Sequence, residues 1–257
     1  MAPMPTTWFT YDFGYTWPLT LGHVLVCLSA TALALFGYWI GWRNWVLAAL
    51  TSVAVWGCVG ALVVHNAIQL NEPQRVVTDA FLPSGDGRVL DLGAGSGRAT
   101  VGLLLARPRA RVTAVDLYQG YYGIDDNTPD RLERNAQRAG VGHNVQVRVA
   151  DMRQLPFDAG EFDAVMSVAA IDHLKWDGIE QTMRETARVL KPGGQFLIVS
   201  LNADGWVRVA MPWSLHGGFW GQSQNRERWR SALGQSGFDV ADVGTRAATL
   251  YFLATKR

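Results

Sequence analysis

The chain has 257 residues, with 23 Lys and Arg against 22 Asp and Glu, and a formal charge of +1. That balance leaves no basic footprint and excludes a non-specific nucleic-acid binder. At 49% hydrophobic it is not a disordered chain, and its two cysteines cannot build a disulfide framework or a four-thiolate zinc site.

The charges are unevenly placed. Residues 1–70 hold one acid, Asp12, and one base, Arg43, while 71–257 have the charge density of a soluble body. Thirty uncharged residues separate Asp12 from Arg43, and 28 more separate Arg43 from Glu72. Each stretch exceeds the ~20 apolar residues that cross about 30 Å of hydrocarbon. We read spans from Leu19 to Trp39 and from Trp45 to His65, joined by Ile40-Gly41-Trp42-Arg43-Asn44. Trp17, Trp39, Trp42 and Trp45 mark the span ends, as in an interfacial aromatic belt. A cleaved signal is disfavoured, because no basic n-region precedes an apolar stretch of this length. His23, His65, Cys27 and Cys58 lie in or beside the spans and read as structural. Ala30, Ala34, Gly37 and Gly41 have the spacing of close helix packing, including pairing between copies of the chain. The tail 1–18, dense in aromatics between Trp8 and Trp17, reads as an interfacial anchor, with a lid over the site as the sharper alternative.

Asn71-Glu72-Pro73 should break the second span, since proline lacks the amide donor. The spacing then predicts a helix over 74–81. Strands are expected at 88–92, 111–116, 145–150, 162–167 and 195–200, alternating with helices at 96–106, 129–139 and 179–190. A helix at 225–236 precedes two strands, 238–243 and 247–255, with no helix between them. Alternating strands and helices imply a parallel sheet covered on both faces, here with an antiparallel pair at its end.

The chemistry sits in Val89-Leu90-Asp91-Leu92-Gly93-Ala94-Gly95-Ser96-Gly97-Arg98, where a strand ends and a helix opens. The glycines let the backbone turn tightly and approach a ligand. Asp116 ends the next strand, where an acid can accept from ribose hydroxyls. A dinucleotide site would want glycine at 98, where the chain has arginine. Asp91, two residues before the first glycine, would repel a pyrophosphate and suits a cationic amino group. This pattern points to S-adenosylmethionine, which carries an ammonium and no phosphate.

From about Arg75 onward the chain resembles the class I S-adenosylmethionine-dependent methyltransferases. Five segments stand in the family's order: 89–98; Asp116; Asp151-Met152 with Leu155-Pro156-Phe157; Phe162-Asp163-Ala164-Val165 with Ser167; and Arg188-Val189-Leu190-Lys191-Pro192-Gly193-Gly194. The resemblance implies a Rossmann-like, doubly wound, seven-stranded α/β sheet with a terminal antiparallel strand, here preceded by a transmembrane helical hairpin (19–70) and occupying 71–257. It implies that Asp91 holds the methionine ammonium, directly or through water. Gly93, Gly95 and Gly97 would give room for methionine and ribose, and Asp116 would bind the ribose hydroxyls. Leu117 would pack on adenine, Asp151 and the Met152 amide would read its edge, and Ser167 would complete the cofactor set.

Catalytic expectations fall on Asp172 and His173 after the fourth strand, and on His216 in the Trp- and Gly-rich segment 201–223. Helix capping and scaffolding are the competing readings for the first two. The loop 118–127 departs from the family pattern and either covers the cofactor or lines the acceptor pocket. No His, Cys and carboxylate cluster has metal-ligand spacing. The cofactor is cytoplasmic, so the body is expected on the cytoplasmic side of the cell (inner) membrane, with the hairpin anchoring it in the bilayer. An anchored enzyme of this kind is expected to meet a lipid-like acceptor, a lipid headgroup or a quinone. The rival is a soluble small molecule or partner protein, with the spans serving assembly.

Overall fold

The computed structural model describes residues 11–120, 123–202, 209, 225–246 and 248–257. One turn of helix, α1 (Trp17–Thr20), leads into α2 (Gly22–Trp39), and α3 (Asn44–Leu62) returns antiparallel to it. The last turn of α3 widens into a π-turn, Val63–Ile68, which Gln69 ends in the left-handed region. Both long helices are apolar on every side, with mean hydropathy 1.5 and 2.2, and are long enough to cross a membrane.

Small residues let α2 and α3 approach. A Cβ on Gly57 would lie 2.7 Å from the Cys27 amide nitrogen, and one on Gly60 would overlap the His23 ring. His23, Ala30 and Gly37, seven residues apart, are the buried positions of α2. The small-residue pattern is therefore used in part inside the hairpin: Ala30 and Gly37 are covered there, whereas Ala34 is half-buried and Gly41 exposed.

The body is a seven-stranded sheet. In chain order the elements are β1 (Asp86–Leu92), α4 (Arg98–Ala106), β2 (Arg109–Asp116), α5 (Pro129–Arg138), β3 (Val145–Val149), β4 (Phe162–Val168), α6 (Trp176–Val189), β5 (Leu190–Leu201), α7 (Arg226–Gln235), β6 (Phe238–Arg246) and β7 (Thr249–Lys256). The spatial order is β3-β2-β1-β4-β5-β7-β6, and β7 alone runs antiparallel to its neighbours on both sides. The expected terminal strand pair is present, with β6 and β7 bonded from Phe238–Lys256 to Arg246–Thr249.

Strand side chains alternate between two cores, which is why the strands read as unbroken apolar runs. Val89, Val112, Ala164 and Val199 face the layer of α4 and α5, whereas Leu90, Val165, Ile198 and Phe252 face α6 and α7. Trp229 of α7 is buried between Trp176 and Phe252, with ring centroids 5.2 and 6.2 Å away.

The helix predicted over 74–81 is absent. This segment runs irregularly across α4, burying Val77 and Phe81, with Leu82 just after it, in the first core. Gly102 lets the Gln74 carbonyl touch α4, and the Gln74 amide donates to the Arg98 carbonyl at 3.0 Å. Contact with α4 outweighs a local helical preference that three buried side chains would have opposed.

The tail also differs from its expected place. Phe13, expected at an interface, is 2% exposed and packed on the body. Residues 12–16 lie along the loop after β2, with Tyr15 bridged to Ile124, the Asp125 amide donating to the Gly14 carbonyl and the Thr16 amide to the Gly123 carbonyl. The Asn135 side chain accepts from the Asp12 amide and donates to the Asp12 carbonyl. Residues 1–10 lie outside the described residues.

Candidate active site

A cavity of about 560 Å³ opens at the carboxyl ends of β1, β2, β4 and β5, where α/β sheets place their ligands. One end is built by the glycine turn. Gly93, Gly95 and Gly97 all have positive φ (73°, 51° and 87°), which explains the residue type at each. A Cβ on Gly93 would overlap the Ala170 Cβ and sit 3.1 Å from Met152 Cε. Gly93 and Gly95 line the cavity. Gly97 does not; it caps α4 and packs against Leu132, so its expected contact with the cofactor is replaced by a helix-packing role.

Asp116 lines the same end. Its Oδ2 accepts from the Gly95 amide at 2.9 Å and its Oδ1 from the Tyr118 amide at 2.7 Å. The acid therefore holds the glycine turn and the loop after β2 in one geometry while keeping lone pairs for a ligand. Leu117 is 38% exposed on the cavity wall, available to a ring. Asp151 and Met152 line the wall as well. Arg153 bonds both Asp151 oxygens, at 2.6 to 3.1 Å, and holds that carboxyl below its ordinary pKa, so it is a charged acceptor.

Asp91 lies beneath the turn and is 1% exposed. Its Oδ2 accepts from Thr100 at 2.5 Å, while Oδ1 is buried without a hydrogen-bond partner. Burial raises its pKa to about 7; the Thr100 bond lowers it and Asp116 adds to the rise. Asp91 does not line the cavity; its orphaned oxygen under the glycine cradle fits the ammonium of S-adenosylmethionine through water. Asn127 adds a second buried, unpartnered oxygen on the cavity wall near Gly95. The sequence marked the loop 118–127 as a whole but not Asn127 within it; the strap of residues 12–16 lies along this loop.

Ser167 does not face the cavity. Its hydroxyl donates to the Leu92 carbonyl at 3.0 Å and accepts from the Ile171 amide at 3.1 Å, tying β1 to the turn after β4. It holds the floor of the site in place.

The other end of the cavity is apolar, walled by Leu174, Val199 and Leu201 together with Leu19 from α1 and Ile68 and Leu70 from the end of the hairpin. His173 and Ser200 are polar groups on this wall. Asp172, expected beside them, is 1% exposed and lies behind the wall, where it accepts a short hydrogen bond from Ser200. Burial raises its pKa, and the neighbouring His173 and the Ser200 bond act against that rise. His216 and Tyr121–Tyr122 lie outside the described residues. Of the 201–223 segment, Leu201, Asn202 and Val209 are described, and the Val209 carbonyl accepts from Trp56 Nε1 of α3 at 2.7 Å.

Arg98 joins the two ends. It follows the glycine turn, and its guanidinium donates to the carbonyls of Ile68 (2.5 Å), Gln69 (3.0 Å) and Glu72 (2.8 Å). Ile68 is the last helical residue, where a helix end leaves carbonyls unsatisfied, and Gln69 and Glu72 follow it in the turn. The Tyr15 hydroxyl meets the same guanidinium, and burial holds the Arg98 pKa below its usual value. Position 98, notable in the sequence only for lacking glycine, ties the hairpin's end and the tail to the cofactor turn.

Residues 89–194 match the model of a family described as a methyltransferase domain. An uncharacterised protein of Mycobacterium bovis is 35% identical over 132 residues, covering 51% of this chain and 43% of its own length. The ubiquinone/menaquinone biosynthesis C-methyltransferase UbiE of Bartonella tribocorum is 31% identical over 127 residues, covering 49% and 44%. The malonyl-[acyl-carrier protein] O-methyltransferase of Geobacter sulfurreducens is 29% identical over 189 residues, covering 70% and 66%. The chain thus spans less than half the length of the first two. Among solved structures, an S-adenosylmethionine-dependent methyltransferase from Methanosarcina mazei superposes with a TM-score of 0.52 at 18% identity, covering 67% of this chain and 93% of that one. The fold is that of the Rossmann-like methyltransferases, residues 89–194 match the methyltransferase domain family, and the site at their core fits S-adenosylmethionine.

Proposed function

We propose that this chain is a membrane-anchored enzyme that moves the methyl group of S-adenosylmethionine to a lipid-like acceptor at the cytoplasmic face of the cell membrane. One observation carries the reading: Leu19, Ile68 and Leu70, at the ends of the two apolar helices, wall the same cavity as Asp116 and Asp151. An acceptor leaving the bilayer along the hairpin would arrive at the methyl group. Only 17% and 11% of the two helical windows are buried, which argues against core helices of a soluble protein.

Asp91, Asn127, Gly93, Gly95, Asp116, Leu117, Asp151 and Met152 would hold the cofactor. Bound there, it supplies a methyl carbon already activated on a sulfonium. The chain's share of catalysis is then mainly proximity and orientation. Apolar walls exclude water, and His173 orients the acceptor or takes its proton where the nucleophile must lose one. One relative named for ubiquinone/menaquinone biosynthesis is in keeping with a quinone-like acceptor, and one named for malonyl-[acyl-carrier protein] with the rival partner-protein acceptor.

The test is methyl-labelled S-adenosylmethionine added to membranes containing the full chain, with Asp91→Ala as control. Label in the organic phase, absent in the control, is expected. Label confined to the aqueous or protein fraction would refute the lipid acceptor and favour a tethered enzyme of a soluble substrate or partner protein.

A further inference from the structure

We infer that Ser200 and Asp172 form a proton relay at the acceptor end of the cavity: Ser200 takes the proton of the acceptor's nucleophilic atom and passes its own to Asp172. The acceptor is then a molecule that must lose a proton on methylation, a hydroxyl of phenol or enol type. The inference rests on the methyl-transfer reading above and holds whether or not the acceptor is a lipid.

Asp172 is a buried acid that no capping duty explains. It lies in the turn after β4, and neither that turn nor α6 has a side-chain cap at its start. Its Oδ2 accepts from the Ser200 hydroxyl, and its Oδ1 is buried without a hydrogen-bond partner. A buried carboxyl with an unsatisfied oxygen is costly and asks for a functional reason.

Ser200, near the carboxyl end of β5, stands between this acid and the cavity it lines. A hydroxyl has one hydrogen and two lone pairs. With its hydrogen on Asp172, Ser200 keeps lone pairs to accept from an acceptor hydroxyl. The groups therefore stand in the order a relay needs: acceptor proton, serine oxygen, serine proton, carboxylate. From its own turn Asp172 faces His173, whose positive charge lowers its pKa, and from β5 it faces Ser200; burial outweighs both and raises it. A carboxylate made more basic in this way is a better partner for a phenol or enol proton.

The step balances with these groups alone. The acceptor oxygen forms the bond to the methyl carbon, and the carbon–sulfur bond breaks with its electron pair staying on sulfur. The acceptor's proton passes to Ser200 Oγ as the serine proton passes to Asp172 Oδ2, which later returns it to water through the same hydroxyl.

The experiment measures initial transfer of methyl label, summed over all fractions, by the full chain in membranes from pH ~5 to ~9. Saturating S-adenosylmethionine removes the titration of Asp91 from the profile. Wild-type transfer should fall on the acid side with the slope of one proton. Asp172→Asn keeps the size and a bond to Ser200, so a structural role would leave transfer intact; a relay predicts a loss of about 100-fold and of the acid limb. Ser200→Ala should match it, and Ser200→Thr, which restores the hydroxyl, should recover most of the rate. His173→Gln should keep the limb and move it to higher pH, because the charge that lowers Asp172 is gone. S-adenosylhomocysteine affinity within twofold of wild type, by calorimetry, shows that each variant is folded. Infrared difference spectra between wild type and Asp172→Asn, taken without acceptor, should show one carboxyl ionising over the pH range of the limb. A limb that survives Asp172→Asn, a carboxyl that stays protonated where label is transferred, or a folded Ser200→Thr without recovery would overturn the relay. The fraction that receives the label decides the lipid reading separately, and no label in any fraction would overturn both.

Discussion

Asp91 should make cofactor affinity depend on pH. Its carboxyl titrates at about 7, because it is buried, with Asp116 adding negative charge and the Thr100 hydroxyl partly offsetting both. The cofactor's ammonium should favour the ionised form. Where only a fraction of the protein is in the competent state, the apparent dissociation constant rises by the inverse of that fraction. About a tenth of Asp91 is ionised at pH ~6 and about half at pH ~7, while the cofactor's α-amino group loses its own proton near ~7.8. The product of the two fractions rises about fifteenfold between pH ~5.5 and ~7.5, peaks there and falls at higher pH. Calorimetry with S-adenosylhomocysteine across this range, in buffers of different ionisation enthalpy, should show that rise and proton release below pH ~7. Asp91→Asn should bind weakly and with a flat profile on the acid side. A flat wild-type profile, or an unchanged slope in Asp91→Asn, would refute the ammonium assignment. Stability has the opposite slope. A folded-state pKa above the unfolded value means that the cofactor-free fold binds the extra proton, so stability is greatest near pH ~4 and falls as pH rises through ~7, by at most about 4 kcal/mol for this shift of roughly three units.

Three further outcomes are expected. Asp116→Asn keeps one carbonyl oxygen for two amide donors and loses the charge facing the ribose; at about 1.5–3 kcal/mol for a charged hydrogen bond, S-adenosylhomocysteine affinity should fall about 10- to 100-fold by calorimetry. Arg98→Met removes the donor to three carbonyls at the hairpin's end, worth about 2–4 kcal/mol after the carbonyls rehydrate. Hydrogen exchange at residues 69–74 should accelerate, and label transfer should fall much more than cofactor affinity; unchanged exchange would show that Arg98 does not join the two parts. Gly60→Val places a branched side chain where His23 lies and should destabilise the hairpin by about 1–3 kcal/mol, read as a lower unfolding temperature in detergent.

The glycine turn was legible because its geometry is local: φ of 73° at Gly93 and 51° at Gly95 restricts the residue type, and Asp116 stands a strand away at a predictable strand end. The two apolar helices and the β6–β7 pair were legible for the same reason, since length and hydropathy of a contiguous stretch decide them. Where the Ser167 hydroxyl points was not legible, because a small hydroxyl on a strand serves a ligand or a neighbouring carbonyl equally well, and only the position of the Leu92 carbonyl distinguishes the two. The segment 74–81 was misjudged because its apolar residues answer to Gly102 and the first core, not to one another.

The sequence by itself determined the sheet, the cofactor end of the cavity and the presence of two membrane-length helices, all of which rest on periodicity and on backbone angles that only certain residues accept. Tertiary structure alone decided what lies across from the cofactor. Arg98 meets Ile68 thirty residues away, Tyr15 bridges Ile124, and Ser200 of β5 meets Asp172 in the turn after β4. Each partnership satisfies a polar group that burial would otherwise leave without a partner, and burial is a property of the folded chain that no single stretch contains.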